Sequence, residues 1–481
     1  MVSHAGRIAI GIDVGTSAVK AVAITESGST VSRTSAPYAT ATPFEGAAVQ
    51  DPDAWWEAAL ASTRELVEAL VAAGESPGPE TTPISLTGQM HTSVFLDESG
   101  EPVHPAVLWS DKRSTLECRT IEEREPAFAE ITGNPAMPAF TVAHTLWLRD
   151  NRRHLFDRVR VILNPKDEIR RRLGAGVATE YSDASGTGFM DTRSGHWADA
   201  VLERLTLSHD LLPRIVSSHA VTGQVGAFDR FPDDDPLRRL TGTPVIGGGG
   251  DQATQAVALG VTEPGRLGLS LGTSGVAFSA SAEPRLGAFR HSYDDLWLTL
   301  DSTHAAGLAL QWFSEVTRTS LPDLAPDPAA FDDLPIFLPY LQGHRDGGGG
   351  APGSFIGLDA RHSRDDLAYS VMEGVAFELR RLADGVDGTG ASTVHIGGGG
   401  ARSQSWRQII ANTFGREVRY ADRGSAYGAA VLAAEAAGWW PDAAGLEHDE
   451  ELTAPDPAAM HAASERNRAF TTYSRLLAGV S

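Results

Sequence analysis

Apolar positions along this chain follow two alternating periods. They run almost unbroken from Ile8 to Val14 and resume from Val19 to Ile24, after Gly15-Thr16-Ser17-Ala18. An apolar run, a Gly-Thr-Ser turn and a second run predict a β-hairpin whose tip offers N–H groups and hydroxyls to an anion. The pattern returns at Arg266 to Leu271, Gly272-Thr273-Ser274 and Val276 to Ala280. Elsewhere the period becomes helical. Trp56, Ala59, Leu60, Leu66 and Leu70 share one stripe and predict a helix from Asp53 to Gly74, capped by Asp51 or Asp53, with the Trp pair in a core or interface. Helices are also predicted from Asn164-Pro165, over Thr141 to Asn151, Asp301 to Phe313, Leu367 to Leu382, Ala401 to Phe414, Ala426 to Ala437 and Ala462 to Leu477. Short strands are predicted at Ile84 to Thr87, Val94 to Leu96, Pro244 to Ile246, Leu296 to Leu300 and Val394 to Ile396. One Gly-Thr-Ser hairpin in each half predicts an α/β protein of two related domains facing each other. The acidic stretch Phe228 to Asp235 reads as an exposed connection, which places the domains at 1–243 and 244–481.

Against this frame the polar exceptions carry the chemistry. Gly247 to Gly250 end a strand, and Asp251 follows in the first turn of a helix. Glycines at a helix start let a ligand approach backbone N–H groups, so Asp251 is the leading general-base candidate. Asp13 is a lone carboxylate in an apolar strand, costly unless it binds something. It is expected to orient Mg²⁺ or its water shell, with Thr16, Ser17 and Lys20 near phosphate; the alternative is an Asp capping its own turn. Gln89, Met90 and His91 offer an amide, an apolar wall and an imidazole, suited to a neutral polyhydroxylated ligand; a lone His is more often structural, and Gln89 beside it makes ligand contact and a structural role equal alternatives. Trp109 and Asp111 either stack on a sugar and accept its hydroxyls, or are a buried Trp and a helix cap. Gly307 and Gln311 lie one turn apart, for a nucleotide or for helix packing. A third glycine run, Gly397 to Gly400, with Gln404 just beyond, can lie flat against an adenine and its ribose. Arg170 to Arg172 reads as a solvated face, Tyr181 to Met190 as a plain turn, and Gly343 to Gly353 as a mobile loop.

The bulk numbers narrow the partners. With 40 basic against 62 acidic residues the net charge of the 481-residue chain is −22, which disfavours nucleic acid and anionic membranes. No segment approaches the length of an apolar membrane span, and Met1 to Arg7 lacks the features of an export signal. The single cysteine, Cys118, allows no intrachain disulfide, fits a reducing cytoplasm and is expected to pack a helix.

The motifs GIDVGTSAVKAV, GQMH, LWSDKRS, NPKDEIRRRL with TEYSDASGTGFMD, GGGGDQA, LSLGTSGV and GGGGARSQSWRQII, in this order, resemble the FGGY carbohydrate kinases, and most of all their xylulokinase branch. The resemblance implies two ribonuclease-H-like (actin-like ATPase) domains with a catalytic cleft between them. It also implies ATP and Mg²⁺ as cofactors and phosphorylation of a ketopentose, D-xylulose foremost, or of another ketose or a polyol. Asp251 then matches the catalytic base and Asp13 the acidic residue near Mg²⁺. Met90 and His91 match the sugar-contacting pair, which Gln89, Trp109, Asp111 and Gln252 would join. Thr273, Gly307, Gln311 and Gly400 match nucleotide positions, beside Gly15, Gly272, Gly399 and Gln404. The chain departs from the family pattern at Thr92, Ser110, Gln252, Asn412 and Gly343-His344-Arg345-Asp346, which leaves the sugar open. A homodimer is left open as the assembly. An actin-like ATP switch would share the hairpins but has little use for Gln89-Met90-His91 beside Asp251.

Overall fold

The computed structural model describes residues 6–229, 231–320, 333–341, 343, 351–386, 390–440 and 450–478. The chain divides into two compact units: Met1–Thr262 with Ala282–Leu298 and Gly424–Leu446, and Glu263–Ser281 with Thr299–Arg423 and Glu447–Ser481.

In the first unit β1 (Ile8–Val14) pairs antiparallel with β2 (Ala18–Thr25), which pairs antiparallel with β3 (Thr30–Pro37). Further on, β4 (Val49–Gln50) precedes α1 (Pro52–Ala72), whose N-cap is Asp51. β5 (Ile84–Gly88) lies parallel to β1, and the strand Pro244–Gly250 lies parallel to β5. Every residue of β1 is buried, which explains an apolar run that Asp13 alone interrupts with a charge. Ile8, Ile10 and Ile12 face α1 through Trp55, Leu66 and Leu70, while Ala9 packs with the small-residue helix Ser425–Ala436. Alternation puts Asp13 on the side of Ala9 and Gly11, toward that helix.

The expected division at 243/244 does not match these units. It would cut the first unit's sheet, because Pro244–Gly250 pairs with β5, and Asp251 therefore belongs to the first unit. The late helix Ser425–Ala436 returns to this unit as well.

In the second unit Leu267–Leu271 pairs antiparallel with Gly275–Ser281 and parallel with Thr393–Gly397, which pairs with Glu417–Tyr420. Leu267, Leu269 and Leu271 pack in a core with Val371, Val375 and Leu379 of the helix Arg364–Gly385 and with Trp406 and Ile410 of the helix Gln404–Phe414. The strand expected to stop at Leu300 runs from Trp297 to Thr303, and its helix starts at Gly307 rather than Asp301. The Thr- and Ser-containing stretch 299–303 favours extended backbone over a helical turn. Cys118 is buried in the helix Thr115–Arg124, where burial pushes its thiol up to about 12, as suits a packing residue. Most of the loop expected to be mobile, 344–350 within Gly343 to Gly353, lies outside the described residues. Among the described residues no helix is long and apolar enough to cross a membrane.

Candidate active site

The strand Pro244–Gly250 ends where the helix Asp251–Ala258 begins, and Gly250 is its N-cap residue. A Cβ on Gly250 would stand 2.6 Å from Met90 Cγ, so only glycine lets the strand end against Met90. Thr87 and Thr254 share a hydroxyl hydrogen bond of 2.7 Å that ties β5 to this helix. The Asp251 carboxylate, partly exposed, accepts hydrogen bonds from the backbone N–H groups of Gln252 and Met90 and from the Gln252 amide. Burial, then the nearby Asp13 charge, outweigh these bonds and push Asp251 up to about 7. Beside it Gln252 Oε1 is buried and has no partner among the described residues. A carboxylate poised near neutrality next to an unused acceptor suits a ligand hydroxyl.

Asp13 is 4% exposed and sits at the N-terminal end of the helix Ser425–Ala436, where Ser425 Oγ donates to Asp13 Oδ2 at 2.6 Å. Burial raises its pKa against the pull of Ser425 and Lys20, and its other oxygen, Oδ1, has no partner. The turn beyond it is held from outside. Gly15 O accepts from Tyr38 OH and Gln89 Nε2, Thr16 O from Gln50 Nε2, and Ser17 O from Tyr38 N–H.

The Gln-Met-His set divides. Gln89 is 1% exposed and its amide is spent: Nε2 donates to Gly15 O and Gln50 Oε1, and Oε1 accepts from Thr92. It braces the turn rather than facing a ligand. His91 has a left-handed backbone with φ of 69°, strained for a side chain of its size. Its Nδ1 donates to Gly186 O at 2.6 Å, and its ring packs against Phe140 and Phe289, which also touch each other. Trp109 Nε1 donates to Thr16 Oγ1 at 3.2 Å. Asp111 is no helix cap and offers no free oxygen. Its carboxylate accepts two bonds from the Arg113 guanidinium and one from Ala48 N–H, while Ser114 is the N-cap of Thr115–Arg124.

The Arg170–Arg172 run is not a solvated face. Arg170 and Lys166 are fully buried one helical turn apart. Lys166 Nζ reaches Asp167, Asp183 and Glu180 at 2.7, 3.2 and 3.5 Å. Arg170 pairs with Asp167 and donates to Gly247 O, just ahead of Asp251. Burial lifts the Asp183 carboxyl well above its usual range even against the attraction of Lys166. The expected turn at 181–190 instead opens with a helix, Tyr181–Ser185. Ser182 Oγ in that helix accepts from Gly250 N–H at 2.9 Å and donates to Glu180. Helical spacing could not reveal this charged core; the i, i+4 placement of Lys166 and Arg170 beside Asp167 was the available signal. A crevice of about 600 Å³ lined by Asp53, Trp56, Glu101, Arg171 and Phe228 contains none of the candidate residues, and Arg171 and Arg172 are already paired with Glu168.

In the second unit Gly272-Thr273 meets the start of the helix Gly307–Thr317. Gly307 N–H donates to Gly272 O at 2.9 Å, while Ala306 and Leu308 N–H donate to Thr273 O. A Cβ on Gly307 would lie 2.6 Å from Gly272 O, so the helix start can reach the turn only with glycine there. Gly400 packs on Leu271 and Trp406, which brings the third glycine run to the same turn. Gly399, Gln404 and Gln311 are exposed, and Gln311 Nε2 bonds Glu315 at 3.0 Å.

Residues 8–258 match the N-terminal domain of the FGGY family of carbohydrate kinases, and residues 267–437 match its C-terminal domain. The chain belongs to that family. It is 34% identical over 448 residues to the xylulose kinase of Escherichia coli (strain K12), covering 89% of this chain and 90% of the relative. It is 31% identical over 485 residues to the xylulose kinase of Bacillus subtilis (strain 168), covering 97% and 95%. Among solved structures, one described as a xyloylose kinase from Brucella ovis superposes with a TM-score of 0.87 at 29% identity, over 98% of this chain and all of the other. This FGGY protein is therefore a carbohydrate kinase with the actin-like ATPase fold, and it uses ATP to phosphorylate a sugar.

Proposed function

We propose that this kinase transfers the γ-phosphoryl group of ATP to a hydroxyl of a ketopentose, D-xylulose foremost, with Asp251 as general base. One observation carries the reading: a carboxylate with a pKa of about 7 beside the unpartnered Gln252 Oε1. Gln252 Oε1 accepts from a neighbouring hydroxyl and so orients the sugar, while Asp251 takes the proton of the attacking hydroxyl as its oxygen bonds the γ-phosphorus and the bond from that phosphorus to the ADP oxygen breaks. Met90 and His91 wall the sugar, and Trp109 stacks beside it. Phosphoryl transfer asks the protein chiefly to position groups and balance charge, and the Gly15-Thr16-Ser17 turn with Lys20 supplies N–H groups and a cation for phosphates. In the second unit Gly272, Thr273, Gly307, Gln311, Gly399, Gly400 and Gln404 surround the nucleotide.

Among the described residues no group of three ligating side chains could hold a metal alone. A metal that arrives with the nucleotide needs only one or two carboxylates, and the buried, unpartnered Asp13 Oδ1 fits that demand. When bound there, Mg²⁺ neutralises phosphate charge. The single cysteine and absence of a membrane-length helix among the described residues support a cytoplasmic setting. D-Xylulose, D-ribulose, ketohexoses, glycerol and sugar alcohols, compared in a coupled ADP-release assay, test the substrate. The highest kcat/KM on D-xylulose supports the proposal; a polyol preferred over every ketose overturns it.

A further inference from the structure

Gln50 directly precedes Asp51, the N-cap of α1, yet it performs no capping. Gln50 is 2% exposed at the end of β4, and its side chain makes four hydrogen bonds. Nε2 donates to Thr16 O and Thr40 Oγ1, both at 2.7 Å; Oε1 accepts from Trp55 Nε1 at 2.9 Å and Gln89 Nε2 at 3.0 Å. An indole N–H only donates and a backbone carbonyl only accepts, so the amide has one possible orientation. That orientation then fixes Gln89, whose Nε2 also reaches Gly15 O and whose backbone leads straight to Met90 and the Asp251 hydrogen bond.

We propose that Gln50 is a positioning residue for phosphoryl transfer: its buried amide sets the Gly15-Thr16-Ser17 turn and the Gln89-Met90 segment in one register. The inference rests on the proposed reading that this turn meets the nucleotide phosphates. With its carbonyls drawn outward by Gln50, Gln89 and Tyr38 and the Gly15 N–H bonded to Ala18 O, the turn keeps the Thr16 and Ser17 N–H groups for an anion. The corresponding turn of the second unit receives bonds from backbone N–H groups at 306–308, so among the described residues the amide brace belongs to the first turn.

Gln50→Glu keeps the shape and both acceptor bonds but sets a carboxylate oxygen against Thr16 O. The expected result is a KM for MgATP raised about tenfold and a kcat lowered about tenfold, with KM for the sugar within about twofold. Should that variant not fold, Gln50→Met, which buries no charge and lacks the same donor, carries the same expectation. Trp55→Phe is the comparison: it removes a buried bond to the same amide but spares Thr16, so it lowers the melting temperature and leaves KM for MgATP within about twofold. Folded Gln50 variants with unaltered KM for MgATP and kcat, or a Trp55→Phe variant with the same kinetic defect, overturn the inference. Ser17→Ala and Thr16→Val separate the two readings. If they leave MgATP kinetics intact, the turn is not a phosphate site. If they raise KM for MgATP while the Gln50 variants do not, the role of Gln50 alone is lost.

Discussion

The two Gly-Thr-Ser hairpins are close in sequence and unlike in construction. In the first, Val14 pairs with Val19 and leaves four residues in the turn; in the second, Leu271 pairs with Gly275 and leaves three. The first strand carries the buried Asp13, where the second carries Ser270. The first tip is braced by side chains of Tyr38, Gln50, Gln89 and Trp109; the second by N–H groups at the start of a helix. One short motif therefore supports two tasks. The first unit holds titratable groups whose protonation matters, and the second offers backbone, where shape matters.

Substitutions that exploit this contrast differ in size. The largest effect is expected from Asp251→Asn: kcat falls by about two orders of magnitude or more while KM for the sugar barely moves. Initial-rate measurements at varied sugar check this. Next, Gly307→Ala places a methyl 2.6 Å from Gly272 O and must displace the second turn. Its KM for MgATP should rise about tenfold with KM for the sugar unchanged. A neutral outcome there would mean that the second turn tolerates movement and that its backbone bracing is incidental. A third effect concerns stability. Asp251 has a folded pKa of about 7 against the ordinary aspartate value of 3.8, so the folded form holds the proton that the unfolded form has lost between those values. Stability from this site is thus present at low pH and declines as pH rises toward 7. Asp251→Asn should melt a few degrees above wild type at alkaline pH and equal to it near pH 4, by thermal denaturation. The smallest kinetic effect is expected at Asp111, whose carboxylate is already occupied by Arg113 and Ala48. Asp111→Asn should cost about 3 kcal/mol of stability by leaving Arg113 buried without its partner, with KM for the sugar within about twofold.

Local pattern made much of this legible. Both hairpins, the Thr141–Asn151 helix and the position of Asp251 at a helix start follow from periodicity and glycine placement. What local pattern does not contain is docking. Ser425–Ala436 is visible as a small-residue helix, but nothing in it says that it returns to lie beside Asp13. Arg170 looks solvated because the Ala178 and Gly247 carbonyls it reaches come from other elements, as do the Glu180 and Asp183 beside Lys166 and the Ser182 that holds Gly250. Gln89 is ambiguous in sequence for the same reason, since an amide beside a site can face the ligand or hold the wall; Gln50 lies in none of the motifs, and only its partners reveal it.

The most direct test is the pH dependence of kcat/KM for the sugar in the wild-type enzyme and in Asp251→Asn. With Asp251 as base, the wild-type value climbs with pH through a single ionisation at about 7, and the variant loses that limb. A wild-type profile flat from about pH 5.5 to 8.5, or a limb that survives in the variant, would show that another group takes the proton.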